Sequence, residues 1–121
     1  MASVFTPAGK KVMLEHIAPL ITAVSIHSAD PGTTGTSELD GGDPAYARKA
    51  PDFSDTATDG EIPMDAPATF DIPAGSTVAY AGFWVGASLV AKAAMAVPET
   101  YANQGTFTLS AATKLRVVDP A

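Results

Sequence analysis

The sequence predicts a mainly β domain, an antiparallel β-sandwich or jelly-roll-like fold with one short N-terminal helix. Three observations favour this fold. Short apolar runs of strand length are separated by turns rich in glycine and proline. No helical pattern lies between successive strand patterns, which disfavours a parallel sheet. The 121 residues have the length of one domain, and we expect a single domain over residues 1–121.

The first element is a helix that follows Thr6. The threonine can cap the helix, and Pro7 occupies the first helical position, where proline is tolerated. Pro19 ends the helix, because proline lacks the N–H and disfavours helical geometry in the residue before it. The spacing of the apolar residues predicts one apolar face, formed by Met13, Leu14 and Ile17.

Strand patterns follow the helix. Alternation in residues 21–28 predicts a half-buried strand with Ser25 and His27 on its polar face. Residues 77–85 are apolar on both faces, which predicts a central strand. Further strands are expected at residues 45–53, 62–64, 68–72, 89–97, 106–109 and 115–117, with polar loops at 54–60 and 98–105. The bulky core candidates are Phe5, Phe53, Phe70, Phe83, Trp84 and Phe107.

A long loop is predicted at residues 29–44, where glycines and prolines define several turns. A loop of this length in a compact domain is usually functional or mobile, and an aromatic residue and an arginine follow it closely. We therefore predict a contact surface for another protein, formed by Asp30, Pro31, Gly32, Glu38, Tyr46 and Arg48. Two alternatives remain open: the loop packs only on its own domain, or Arg48 forms an internal salt bridge with a nearby loop acid.

The charge distribution excludes several classes of partner. The net charge is −6, and ten of the thirteen acidic residues lie between Asp30 and Asp71. Such a surface repels phosphate backbones, so we expect no nucleic-acid partner. No apolar run approaches the ~20 residues of a membrane span and no signal peptide is visible, so we expect no membrane partner. The chain has no cysteine, which removes disulfides and thiolate metal sites.

The catalytic inventory is small. The two imidazoles are His16, near the end of the helix, and His27, which we expect at the surface. No Gly-x-Ser-x-Gly motif is present, and we expect neither enzymatic activity nor a cofactor. Calcium is the best alternative use of the loop acids Asp30, Glu38, Asp40 and Asp43, but their spacing matches no EF-hand. We interpret them as solvated loop acids and expect no metal site.

Several stretches resemble a known family. They are residues 26–32, 36–39, 41–42, 46–49, 70–75 and 82–84, which read IHSADPG, TSEL, GG, YARK, FDIPAG and GFW. They are similar to small virion proteins of tailed phages and prophages of actinobacteria, which follow a pattern of the form SLHTADPGTTG…E..GG.YAR and are usually labelled minor tail or tail fibre proteins. The resemblance covers about residues 5–118. Residues 43–45 look inserted, and residues 85–87 depart from the Asp-Ala pair that relatives commonly carry after the tryptophan.

The resemblance implies a non-enzymatic structural accessory subunit of a tailed-phage virion, either a capsid decoration protein or a minor tail protein. Its implied location is the capsid or tail surface, after synthesis in the host cytoplasm. Its implied partners are other virion proteins, such as the major capsid or tail proteins, and a homo-oligomer is compatible with this role. The alternative is a host-surface carbohydrate-binding module of the tail, which would use exposed aromatic rings such as Tyr46, Tyr80 or Tyr101.

Overall fold

The computed structural model describes Met1 and residues 3–117. This part of the chain contains seven strands and one α-helix. The strands are β1 (Ala23–His27), β2 (Glu61–Pro63), β3 (Ala68–Ile72), β4 (Ser76–Val85), β5 (Ser88–Tyr101), β6 (Gly105–Leu109) and β7 (Lys114–Arg116). Every pair of these strands is antiparallel. The prediction of a mainly β, antiparallel, sandwich-like fold with one short N-terminal helix is confirmed.

The helix α1 (Pro7–Ile17) begins and ends as predicted. The Thr6 hydroxyl accepts a hydrogen bond from the Gly9 N–H at 3.2 Å, which satisfies one of the free donors of the first turn. Leu14 is the residue of the helix that enters the core, with 3% of its surface exposed. Pro19 lies in the 3₁₀ turn Ala18–Leu20 that follows. Within the described residues, no helix is long and apolar enough to cross a membrane.

The largest sheet has the strand order β1-β4-β5, so β4 is central, as its two apolar faces predict. The strand β5 runs to Tyr101, and the prediction of a loop from residue 98 is wrong. The reason is a register shift: Val78 lies opposite Glu99 and Tyr80 opposite Ala94, so residues 95–98 of β5 face Ala79 alone. Pro98 fits in this bulge because a bulged edge strand does not need every N–H for the sheet.

Two further sheets each contain two strands, β2 with β7 and β3 with β6. In the second of them Phe70 lies opposite Phe107. Three core predictions are confirmed, because Phe70, Phe83 and Trp84 are 0%, 1% and 6% exposed. Phe53 and Phe107 pack against the core and are partly buried. Phe5 is 57% exposed, so its prediction is wrong: it precedes the helix cap and lies beside the first turn, outside the core.

The predicted strand at residues 45–53 is also wrong. This segment forms only isolated bridges, between Lys49 and Val24 and between Phe53 and Met64. Prolines at 44 and 51 flank the segment and lack the N–H donors that a continuous ladder requires. The Lys49 bridge nevertheless covers the outer edge of β1, with two backbone hydrogen bonds of 2.7 and 3.1 Å to Val24.

Candidate functional site

The long loop at residues 29–44 folds back over β1. Ser28 N–H donates to the Ser37 carbonyl at 2.9 Å, and Leu39 N–H donates to the Ile26 carbonyl at 3.0 Å. These bonds pair the returning part of the loop with the edge of β1. The loop also covers the face that carries Ser25 and His27, since the Thr36 carbonyl contacts His27 and Gly35 lies against Trp84. The prediction that this strand is half-buried is therefore wrong, since its residues from Val24 to His27 are all buried.

A chain of polar side chains lies beneath the loop. The indole N–H of Trp84 donates to Ser25 Oγ at 2.7 Å, and Ser25 Oγ lies 2.6 Å from His27 Nε2. His27 Nδ1 lies 2.8 Å from the carbonyl oxygen of Thr36. A carbonyl only accepts, so Nδ1 carries a proton, and in the neutral form of the ring Nε2 then accepts from the serine hydroxyl. His27 is 0% exposed, and its expected surface position is wrong because the loop closes over it.

The Ser25–His27 pair has the spacing of a nucleophile and its base, but its surroundings leave no access for a substrate. Ser25 is 0% exposed, and its oxygen already accepts the indole N–H. Gly82 lies directly opposite on β4, and a Cβ atom there would come within 2.7 Å of Ser25 Oγ. A nucleophile needs free space of about one reacting atom beside it. This pair therefore ties the loop to the sheet and does not present a reactive oxygen.

Charged side chains form the outer part of the same cluster. Arg48 binds Glu38 through two hydrogen bonds, from Nε at 2.9 Å and from NH2 at 2.7 Å. The Tyr46 hydroxyl donates to Glu38 at 2.8 Å and accepts the N–H of Ile26 at 2.9 Å. The Arg48 guanidinium also lies 4.0 Å from the centre of the Trp84 ring, within the range of a cation–π contact. The internal salt bridge that the sequence left open as one role of Arg48 is therefore present.

These contacts perturb the titration of the cluster. Partial burial acts to raise the pKa of the Glu38 carboxyl, but hydrogen bonds from Arg48 and Tyr46 outweigh it and hold that pKa below its ordinary value of 4.5. Burial is also the main cause that raises the pKa of the Tyr46 phenol, and the neighbouring Glu38 carboxylate adds to the effect. The carboxylate is thus ionised and the phenol protonated at neutral pH, which is the state that their hydrogen bond requires.

Gly35 allows the loop to approach the tryptophan closely. Its φ angle is +88°, a conformation that glycine adopts without steric cost. A Cβ atom at this position would lie 2.3 Å from Cη2 of Trp84, so no larger residue fits unless the ring moves. We call the set Ser25, His27, Gly35, Glu38, Tyr46, Arg48 and Trp84 the Trp84 cluster.

The structure divides the six residues predicted to contact another protein into two groups. Glu38, Tyr46 and Arg48 belong to the Trp84 cluster. Asp30, Pro31 and Gly32 lie beside β5 instead, where Lys92 Nζ bonds to Asp30 Oδ1 at 2.7 Å and to the Gly32 carbonyl at 3.2 Å. The Pro31 side chain is fully buried, and its carbonyl accepts the N–H groups of residues 35 and 36.

Sequence reasoning missed the parts that Ser25, Gly35 and Lys92 play. One available signal was Gly82, because a glycine inside a strongly apolar strand marks a close approach by another group. That group is the Ser25–His27 pair on the neighbouring strand. The contact of Lys92 with Asp30 joins residues 62 positions apart and had no sequence signal.

The alternatives of a metal site and a sugar site can be compared with the geometry. Among the described residues, no three His, Asp or Glu side chains are grouped closely enough to hold a metal ion. Asp30 and Glu38 each face a cation of the chain itself. Tyr46, Tyr80 and Tyr101 are all partly buried, and the Tyr101 hydroxyl donates to the Thr106 carbonyl at 2.8 Å. None of these three rings is the fully exposed platform that the carbohydrate alternative requires.

A second surface feature is an apolar groove between α1 and the start of β5. Its volume is about 500 Å³. We call it the α1–β5 groove, and its apolar lining includes Val12, Met13, Ile17, Val90, Leu115 and Val117. His16 and Arg116 also line it, and both side chains are exposed. Val12 and Val90 are 69% and 40% exposed, which is unusual for apolar residues that lie together.

The fold and the site together describe a small β domain with a tightly held surface loop and a separate apolar groove. No protein-family model, curated protein or solved structure matches the chain.

Proposed function

We propose that this chain is a non-enzymatic structural accessory subunit of a tailed-phage virion, a capsid decoration or minor tail protein. It acts through contacts with other virion proteins at the capsid or tail surface. One observation carries the proposal: four of the six separated stretches that resemble the phage family contribute side chains to the Trp84 cluster. Residues of the pattern that lie tens of positions apart touch one another, which supports a shared fold as the origin of the resemblance.

Each of these four stretches contributes particular residues to the Trp84 cluster. The first stretch supplies His27 and the stretch TSEL supplies Glu38. The stretch YARK supplies Tyr46 and Arg48, and GFW supplies Trp84. Since loss of any one of these would leave a buried or paired group without its partner, the stretches have a physical reason to occur together. The likeness is thus tied to a particular three-dimensional arrangement.

The cluster also prepares a surface for binding. It fixes the loop from beneath, while Thr33, Thr34, Asp40 and Asp43 remain exposed on its outer side. A loop that is already ordered loses little conformational entropy when a partner binds it. We propose that this outer side, together with Asp30 and Gly32, contacts another virion subunit. The enclosed Ser25–His27 pair supports the non-enzymatic part of the proposal.

The location of the protein in particles tests the proposal. Virions are purified from the phage or induced prophage that encodes the chain, and the protein is quantified against the major capsid protein by mass spectrometry. We expect a fixed stoichiometry that persists through density-gradient purification. Recovery of the protein only in the soluble lysate, with none in purified particles, would overturn the proposal. Separated heads and tails then distinguish a decoration protein from a minor tail protein.

The loop surface is tested with substitutions that spare the Trp84 cluster. Thr33→Arg with Asp40→Arg places bulk and charge on the outer side of the loop, and Ala112→Arg is the control in an exposed turn. We expect the loop variant to keep its melting temperature and lose particle occupancy, while the control keeps both. Wild-type occupancy of the loop variant would show that this surface is not the attachment site. Alanine substitutions of Tyr46 and Arg48 serve less well, because both side chains stabilise the domain.

A further inference from the structure

The bulge of β5 exposes an apolar residue beside a carboxylate. Val97 is 75% exposed, and Pro98 and Glu99 next to it are also exposed. The register shift opposite Ala79 places Val97 and Pro98 outside the regular ladder, and Glu99 follows them in the position opposite Val78. Of the ion pairs among the described residues, none includes Glu99. The Val97–Glu99 bulge therefore combines an exposed apolar group with a negative charge.

The α1–β5 groove has the complementary properties. Of the described residues that line it, none is acidic, and the two that carry titratable side chains are His16 and Arg116. Arg116 shares its acidic neighbour, because Glu61 faces both Arg116 at 3.3 Å and Lys114 at 3.8 Å. Among the described residues, one carboxylate against two cations leaves this rim of the groove positive, in a chain whose net charge is −6.

We propose that the α1–β5 groove of one molecule receives the Val97–Glu99 bulge of a second copy of this chain. Val97 and Pro98 enter the apolar part of the groove, and Glu99 pairs with Arg116 at its rim. A groove of about 500 Å³ has room for these two side chains, since a single water molecule takes up ~30 Å³. Opposite charges at the rim fix the orientation of the two copies.

The position of the two features determines the kind of assembly. Val90 in the groove and Val97 in the bulge lie on the same strand, seven residues and therefore about 23 Å apart. A molecule cannot fill its own groove over this distance without unpairing β5. The contact joins two different surfaces, so it is head-to-tail, and repetition gives a ring or an open filament. It goes beyond the proposed function, since it concerns contacts between identical chains.

A cysteine cross-link tests the contact directly, because the natural chain has no cysteine. Val12→Cys labels the groove and Val97→Cys labels the bulge, and both side chains are well exposed, so folding is unaffected. Under mild oxidation, we expect a mixture of the two variants to form a disulfide-linked heterodimer. Each variant alone should form no disulfide-linked dimer, because the head-to-tail contact never brings two copies of the same position together. Thr69→Cys, at the exposed position of β3, is the control and should link to neither.

Solution measurements give an independent test. Sedimentation equilibrium of the wild-type chain should show association that grows with protein concentration and weakens with salt. Val97→Asp should weaken it at least about tenfold, the loss expected when one valine side chain is no longer buried. Glu99→Lys should also weaken association, and mixing it with Arg116→Glu should restore pairing between the two variants.

Other outcomes would overturn the proposal. Homodimers of Val12→Cys alone would show that two grooves face each other, and cross-linking of Thr69→Cys at an equal rate would show random collision. A wild-type chain that stays monomeric at millimolar concentration would show that the groove does not receive a second copy of this chain. None of these results depends on whether the chain is found in particles.

Discussion

At the scale of single residues, Trp84 connects parts of the molecule that are far apart in sequence. Its ring contacts the Arg48 guanidinium and the backbone of Gly35, and its N–H bonds to Ser25. Ser25 in turn orients His27, which holds the loop through the Thr36 carbonyl. A side chain with so many separate contacts contributes both packing and polar bonds to stability.

Two substitutions separate these contributions. Trp84→Ala should lower the free energy of unfolding by about 3–5 kcal/mol, as deletion of a large buried aromatic does. Trp84→Phe keeps an aromatic ring beside Arg48 and removes the N–H donor, so its loss should be smaller, about 1–2 kcal/mol. Urea unfolding followed by circular dichroism measures both. An unchanged stability of the alanine variant would show that the Trp84 cluster does not hold the fold.

At the scale of elements, the loop at residues 29–44 depends on particular glycines. Gly35 and Gly32 both have positive φ angles, +88° and +64°. They differ in their surroundings, because a Cβ atom at Gly32 meets nothing within 4 Å and one at Gly35 meets the Trp84 ring. A substitution at either position therefore strains the backbone, but only a substitution at Gly35 also overlaps another side chain.

Alanine substitutions at these two glycines separate the cost of backbone strain from the cost of steric overlap. Gly32→Ala should cost about 1–2 kcal/mol, from backbone strain alone. Gly35→Ala adds overlap with a packed ring and should cost a further ~1–3 kcal/mol. The melting temperature and the protection of the Ser28 and Leu39 amides from hydrogen exchange report the difference, because these two N–H groups join the loop to β1. Equal effects of the two substitutions would mean that Gly35 is not held against the tryptophan.

The local sequence patterns correctly predicted those elements whose formation depends on their own residues. Helix α1 has its cap and its proline within the first turn, and β4 has two apolar faces, so both were predicted correctly. The extension of β5 to Tyr101 depends on Ser76–Val78, some twenty residues earlier, and no local pattern contains that pairing. The alternation of β1 located Ser25 and His27 on one face, but a loop that arrives later in the chain decides that this face is buried.

In the candidate site too, features that depend on neighbouring residues were predicted and features that depend on distant contacts were not. The turn residues and the nearby Tyr46 and Arg48 identified the loop as the region of interest, and an internal partner for Arg48 was one of the readings. The link from Ser25 to Trp84 joins residues 59 positions apart and could not be predicted from either segment. Tertiary contacts of this kind depend on strand register, which a single sequence specifies only through the fold as a whole.

At the scale of the whole molecule, ion pairs between elements make stability depend on pH. A hydrogen bond from Lys11 lowers the pKa of Glu15, and one from Lys92 lowers that of Asp30. For Glu38, burial acts to raise the pKa, but hydrogen bonds from Arg48 and Tyr46 have the larger combined effect and lower it. All three carboxyls hold protons less tightly in the folded chain than in the unfolded chain, so stability is present above their ordinary values of 4.5, 3.8 and 4.5.

The melting temperature should therefore be constant near neutral pH and fall as the pH drops below about 4.5, although the net negative charge decreases over the same range. Glu38→Gln should lower stability at pH 7 by about 1 kcal/mol and flatten the acid side of the profile. Asp30→Asn should have a smaller effect that 1 M salt removes, because that carboxylate is exposed. An acid profile of Glu38→Gln that matches the wild type would exclude Glu38 as the main contributor.

The position of Trp84 also gives the molecule an optical reporter. It is the single tryptophan of the chain, it is 6% exposed, and it lies directly beneath the loop at residues 29–44. Its fluorescence therefore arises from one defined place, beside a guanidinium and away from water. Opening of the loop would let solvent reach the indole and move its emission to longer wavelength while the sheet remains intact. Binding of a partner to the loop can thus be followed in real time by the light that the unlabelled protein itself emits.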